Sequence, residues 1–85
     1  MKTKEFIEKV EELGYLVKYY GFYIYIDNHN KELIAVVATH EYAHMSVNYK
    51  GYELLGNDDR EDLFNLIVEY TTTPVKNRKD ERRMK

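Results

Sequence analysis

The sequence predicts one small domain of α+β class, ordered α-β-β-β-β-α. It is expected as a four-stranded antiparallel meander with two helices on one face. Two observations carry this. Apolar residues recur with a helical period near both ends of the chain and with a period of two between them. Short polar or glycine-bearing breaks separate the alternating runs, as hairpin connections require. The 85 residues allow a single domain, placed at 1–74, with 75–85 expected as a basic, disordered C-terminal tail.

The first helix is read from Phe6, Ile7, Val10 and Leu13, which fall on one face, with Thr3 available as a cap and Gly14 placed to end it in a left-handed conformation. From Tyr15 the period becomes two. Tyr15, Val17 and Tyr19 alternate with Leu16, Lys18 and Tyr20, and Gly21 breaks the run. Phe22, Ile24 and Ile26 then alternate with Tyr23, Tyr25 and Asp27. Aromatic and β-branched density of this kind favours strands. Asp27-Asn28-His29-Asn30 is a turn, and the residues from Glu32 to Ala38, apolar on both faces, form a central strand.

Ala43, Met45, Val47 and Tyr49 alternate with His44, Ser46 and Asn48 as a fourth strand, closed by Lys50-Gly51. The second helix follows Gly56. Asn57, Asp58 or Asp59 is expected to cap it, with Leu63, Phe64, Ile67 and Tyr70 as its stripe and Thr71-Thr72-Thr73-Pro74 as its end.

Two amphipathic helices cover only one side of such a sheet. If Phe22, Ile24 and Ile26 point toward them, Tyr23 and Tyr25 point away, beside Lys18, Tyr20 and His44. Tyrosine combines a large apolar ring with a water-compatible hydroxyl and so suits an interface, although it is also simply a good strand former. The candidate partner-binding residues are therefore Lys18, Tyr20, Tyr23, Tyr25 and His44, together with the acidic Asp58 and Asp59.

His40-Glu41-Tyr42-Ala43-His44 reads H-E-x-x-H. On a helix, this spacing sets two imidazoles on one face for Zn²⁺ with the glutamate as general base, which makes a zinc hydrolase an alternative. The flanking pattern instead places the string in a β-turn, where the imidazoles do not converge, and no third ligand is singled out. Asp58, Asp59, Glu61 and Asp62 sit where a helix dipole favours negative charge, and Asp27, Asn28, Asn30 and Glu32 lack the glycine and distal glutamate of a calcium loop. No catalytic residue, cofactor or metal is expected.

The formal charge of −2 hides an asymmetry. Residues 1–74 hold 7 basic and 13 acidic side chains, net −6, whereas 75–85 hold 6 basic and 2 acidic, net +4. An acidic body disfavours direct nucleic-acid binding and suits the basic channel of a nucleic-acid-binding protein; the tail is left to touch phosphate or to be solvated. The absence of cysteine excludes disulfides and thiol chemistry. Phe6-Ile7, followed at once by Glu8-Lys9, makes no signal pattern, and no apolar run is long enough for a membrane span. A cytoplasmic setting is expected.

The opening Met1-Lys2-Thr3-Lys4-Glu5-Phe6-Ile7 and Val10-Glu11-Glu12-Leu13-Gly14-Tyr15, the strand Tyr23-Ile24-Tyr25-Ile26, and Glu61-Asp62-Leu63-Phe64-Asn65-Leu66-Ile67-Val68-Glu69-Tyr70 with Thr73-Pro74 carry a resemblance over most of the chain. Together they resemble a family of small uncharacterised proteins encoded by phages and prophages of low-GC Gram-positive bacteria. The H-E-x-x-H string lies outside that pattern, and the tail is more basic than the pattern. The resemblance implies a setting: an accessory protein in an infected or lysogenic host, of the kind that binds and blocks host proteins. The expected role is a non-enzymatic inhibitor of a host defence system, such as a CRISPR nuclease. The alternative of the structural class is a homodimer paired through sheet faces or an edge strand.

Overall fold

A computed structural model describes residues 1–79. Helix α1 (Thr3–Glu12) leads into strands β1 (Leu16–Tyr19), β2 (Tyr23–Asp27), β3 (Leu33–Ala38) and β4 (Met45–Ser46), then helices α2 (Lys50–Glu53) and α3 (Asn57–Thr71), and a 3₁₀ turn at Val75–Asn77. The sheet is an antiparallel meander in the order β1-β2-β3-β4. The α+β class, the four strands and the element order are as the sequence predicts, with α2 added.

Phe6 and Val10 of α1 and Leu63, Ile67 and Tyr70 of α3 share one fully buried cluster with Ile24, Ile26, Ile34, Ala35 and Val37. Both long helices therefore lie on the same side of the sheet. An extra residue in β3, between the pairs Ile26–Ala35 and Asp27–Leu33, lets Ile34 and Ala35 both enter the core. Phe6 stacks on Tyr70 at 4.4 Å, and Tyr70 shares a hydrogen bond of 2.7 Å with the Thr3 hydroxyl.

The helix ends differ from expectation. Thr3 spends its hydroxyl on Tyr70 rather than on a cap, and Lys2 holds the N-cap position. For α3 the cap is Gly56, with no side-chain cap bond, so Asp58 and Asp59 enter its first turn instead. Gly14 has φ +101, in line with a left-handed helix end.

The fourth strand is only two residues long. Its expected start is lost because Ala43 adopts φ 53 in the preceding turn. Val47, Asn48 and Tyr49 fall outside the strand, and the expected closing pair Lys50-Gly51 opens α2, whose backbone closes on β3: a Cβ at Gly51 would stand 2.4 Å from the Leu33 carbonyl oxygen. Only glycine lets the helix approach that closely, so Gly51 serves contact rather than a turn. Phe22 is also misplaced by simple alternation. It lies in the β1–β2 turn, 66% exposed, beyond the reach of the helices.

The domain does not end at residue 74. Arg78 is 1% exposed, and its guanidinium makes five hydrogen bonds, all to main-chain oxygens: Thr73 at 2.8 Å, Ala38 at 3.2 Å, Thr39 at 3.1 Å, Glu41 at 3.2 Å and Thr71 at 2.6 Å. Its own carbonyl accepts from the Thr3 N–H at 2.8 Å, and its guanidinium lies 4.9 Å from the Tyr70 ring centroid. The side chain thus joins the end of α3, the end of β3 and the β3–β4 turn, and the main chain of the same residue adds the start of α1. Residues 75–79 belong to the fold, and the expectation of a disordered tail fails there because a five-donor fork can satisfy carbonyls from several elements at once. The remainder of the predicted tail, 80–85, lies outside the described residues.

This moves the charge boundary as well. Residues 1–79 carry 10 basic and 13 acidic side chains, net −3, and 80–85 carry 3 and 2, net +1. The body remains acidic, but the contrast with the tail is smaller than the sequence suggests.

Candidate protein-binding face

Strand pairing turns the alternation of each strand into rows across the sheet. Lys18 pairs with Tyr25, Tyr25 with Val36 and Val36 with Ser46, which forms one row on the side away from the helices. The next row runs from Tyr20, whose N–H donates to the Tyr23 carbonyl at 2.9 Å, through the Tyr23–Ala38 pair to His44, whose carbonyl accepts from Ala38 at 3.0 Å. Five of the seven sequence-predicted residues, Lys18, Tyr20, Tyr23, Tyr25 and His44, therefore fall in two adjacent rows of the face that no helix covers.

The face is aromatic and largely wet. Tyr20 is 67% exposed and meets the edge of the Tyr25 ring at 5.5 Å, and Tyr23 is 37% exposed. Lys18 reaches the nearly buried Asp27 carboxylate at 3.4 Å. Lys18 thereby balances the Asp27 charge beneath the tyrosines, and with Lys18 half exposed the pair adds little stability.

Asp58 and Asp59 do not join this face. They sit in the first turn of α3, on the helix side of the sheet. Asp59 and Asp62 instead act on Tyr15, whose hydroxyl is held above its ordinary pKa by burial first and then by those two carboxylates.

His40 belongs beside the tyrosines and was not among the predicted contacts. Its ring lies 4.9 Å from Phe22 and 5.4 Å from Tyr23, and its Nδ1 faces the Phe22 carbonyl at 3.2 Å. Phe22, in contact with His40, extends the aromatic character past the rows. Simple alternation misses these two because they lie in turns, where the period of two no longer assigns a face.

The H-E-x-x-H string occupies the β3–β4 turn, not a helix. Glu41 contacts both imidazoles, His44 Nδ1 at 3.0 Å and His40 Nε2 at 4.0 Å, and all three side chains are substantially exposed. Among the described residues, no group of three or more histidine or acidic side chains is arranged to hold a metal ion. The spacing that would matter on a helix here makes a surface cluster of one carboxylate between two imidazoles.

A groove of about 640 Å³ opens at the end of the sheet, lined by Tyr19, Phe22, His40 and Lys79 among others, and a hollow of about 330 Å³ lies beside it between α1 and Tyr19. Arg78 borders the groove, but its donors are committed to carbonyls, so it presents no free cation there. No helix among the described residues is long and apolar enough to cross a membrane. Comparison with protein-family models, with curated proteins and with solved structures yields no match for this chain.

Proposed function

We propose that this protein is a non-enzymatic binding module that engages a protein partner through the helix-free face of its sheet. The observation that carries the reading is the pair of cross-strand rows, Lys18–Tyr25 and Tyr20–Tyr23–His44, which gather exposed aromatic rings on one surface. Rigid amphipathic rings on a sheet lose little conformational freedom on binding and are favoured at interface centres. The net negative body suits a partner with a basic surface and disfavours direct contact with nucleic acid. With the phage-type resemblance of its opening and closing stretches, the partner class we favour is a cytoplasmic host protein with a basic nucleic-acid channel, such as a defence nuclease.

The test uses the tagged full chain and a Tyr23→Ala/Tyr25→Ala variant of equal folded content. Wild type should retain a host nuclease from lysate and relieve phage restriction, and the variant should lose both. If wild type retains no partner and leaves restriction unchanged, the reading fails. If an Asp58→Lys/Asp59→Lys variant loses binding while the tyrosine variant keeps it, the site lies on the helix side instead.

A further inference from the structure

The outer edge of the sheet carries a second, independent surface. The Tyr20–Tyr23 pair is hydrogen-bonded, so in the β1–β2 ladder the bonded pairs recur at every second residue, at Lys18–Tyr25 and Leu16–Asp27. The N–H and C=O groups of Val17 and Tyr19 consequently point away from β2. Among the described residues, no bond from outside the sheet reaches the main chain of either. Tyr19 is 54% exposed and borders the hollow formed with Thr3, Lys4, Ile7 and Glu8, so this end of the edge is open.

We propose that β1 pairs antiparallel with β1 of a second copy, on a two-fold axis through Val17 and normal to the sheet. The register follows from three constraints. Residues opposite each other in an antiparallel pair share a face, so the axis must pass through a residue rather than between two. Val17 and Tyr19, and Tyr15 before them, turn their main-chain groups outward, and an axis through Val17 pairs all three, whereas one through Leu16 or Tyr19 leaves some of them unexchanged. An axis through Lys18 would set two lysines directly opposite at about 4.5 Å, a like-charge pair.

The axis through Val17 avoids this. Val17 meets Val17, Tyr15 lies beside the partner copy's Tyr19 at the mouth of the hollow, and Leu16 lies beside the aliphatic stem of Lys18, itself paired with Asp27. Aromatic and β-branched cross-strand pairs are the favourable kind. The result is a continuous eight-stranded sheet. Because the axis is normal to the sheet, both tyrosine faces look the same way, which makes the binding face bivalent.

The experiment is sedimentation of the full chain up to high micromolar concentration, with two variants. Wild type is expected to self-associate, and Val17→Pro to weaken association by at least about tenfold, since it removes both N–H donors of the central pair. The Val17 N–H has no role in the β1–β2 ladder, so circular dichroism of this variant should match wild type. Independently, Leu16→Cys/Lys18→Cys in this cysteine-free chain should oxidise to a covalent dimer, while Leu13→Cys, exposed but off the strand, should not. A wild type that stays monomeric overturns the proposal. So does a dimer that forms no Leu16→Cys/Lys18→Cys cross-link, or one that survives Val17→Pro and is lost on Tyr23→Ala. None of these outcomes depends on the partner-binding reading.

Discussion

The Arg78 guanidinium donates to the Thr71 carbonyl at 2.6 Å. Thr71 is the last residue of α3, and the final turn of that helix contains no basic residue. Arg78, arriving from beyond Pro74, supplies the positive charge that the exposed carbonyls of a helix end favour. The same carbonyl also accepts from the Ala43 N–H at 2.8 Å, which fixes the β3–β4 turn to the same point.

Arg78→Ala is therefore expected to be among the most damaging single changes in the chain. It would leave carbonyls from Ala38 and neighbouring residues without the guanidinium donors, and Thr71 with the Ala43 N–H alone, at a cost on the order of 3 kcal/mol or more. The melting temperature should fall by more than about 10 °C. Arg78→Lys should recover only part of this, because an ammonium lacks the planar fork. A melting temperature within a few degrees of wild type for Arg78→Ala would contradict the latch. Deleting 75–85 removes this latch together with the tail, so binding lost on that deletion does not by itself assign the binding to the tail.

Gly51→Ala places a methyl group 2.4 Å from the Leu33 carbonyl oxygen, a rigid main-chain atom. The short helix must move off β3, and thermal or urea denaturation should show a loss of about 1–3 kcal/mol. Gly56, with open space around its Cβ direction, is the control: Gly56→Ala should cost less.

On the tyrosine face, the expected pattern is small losses of stability alongside large losses of binding. Tyr20→Ala and Tyr23→Ala remove exposed rings and should each change stability by less than about 1 kcal/mol. A double-mutant cycle between Tyr20 and Tyr25, whose rings meet edge to face, should show a coupling of about 0.5 kcal/mol or more. Large destabilisation by Tyr23→Ala would mean that the ring is structural.

Alkaline pH should destabilise the fold through Tyr70. Burial, outweighing the Thr3 hydrogen bond and the nearby Arg78, raises its hydroxyl above the ordinary value of 10.0. The folded state then holds the proton more tightly than the unfolded state. The stabilisation is complete below pH 10.0 and is lost as the pH rises from there through the folded-state value. Tyr15, shifted in the same direction, adds to the fall. Tyr70→Phe keeps the stack on Phe6 and gives up the bond to Thr3, so it should lower stability near neutrality and flatten the decline above pH 10.0 seen in denaturant titrations.

The period of apolar residues determined much of the architecture by itself. Phe6 and Val10 on one helical stripe, and Ile24 and Ile26 against Tyr23 and Tyr25 on one strand, each state which side meets the core, because burial of apolar area follows local geometry; the wholly apolar Ile34–Val37 stretch marks a central strand without choosing a side. That logic extended to the candidate face: Lys18, Tyr20, Tyr23, Tyr25 and His44 share a side as alternation requires. It failed where local geometry stops deciding. Phe22 has the parity of a core residue, but no helix extends above it. Gly51 looks like a turn residue, yet its role is set by a β3 carbonyl far away in the chain. Asp58 and Asp59 share an acidic character with a binding surface but stand on the opposite side of the sheet from the tyrosines. Arg78 looks like one more charge in a solvated tail; only the folded chain brings together the five carbonyl oxygens that its guanidinium needs, since the end of α3, the end of β3 and the β3–β4 turn must already be in place before that cage exists.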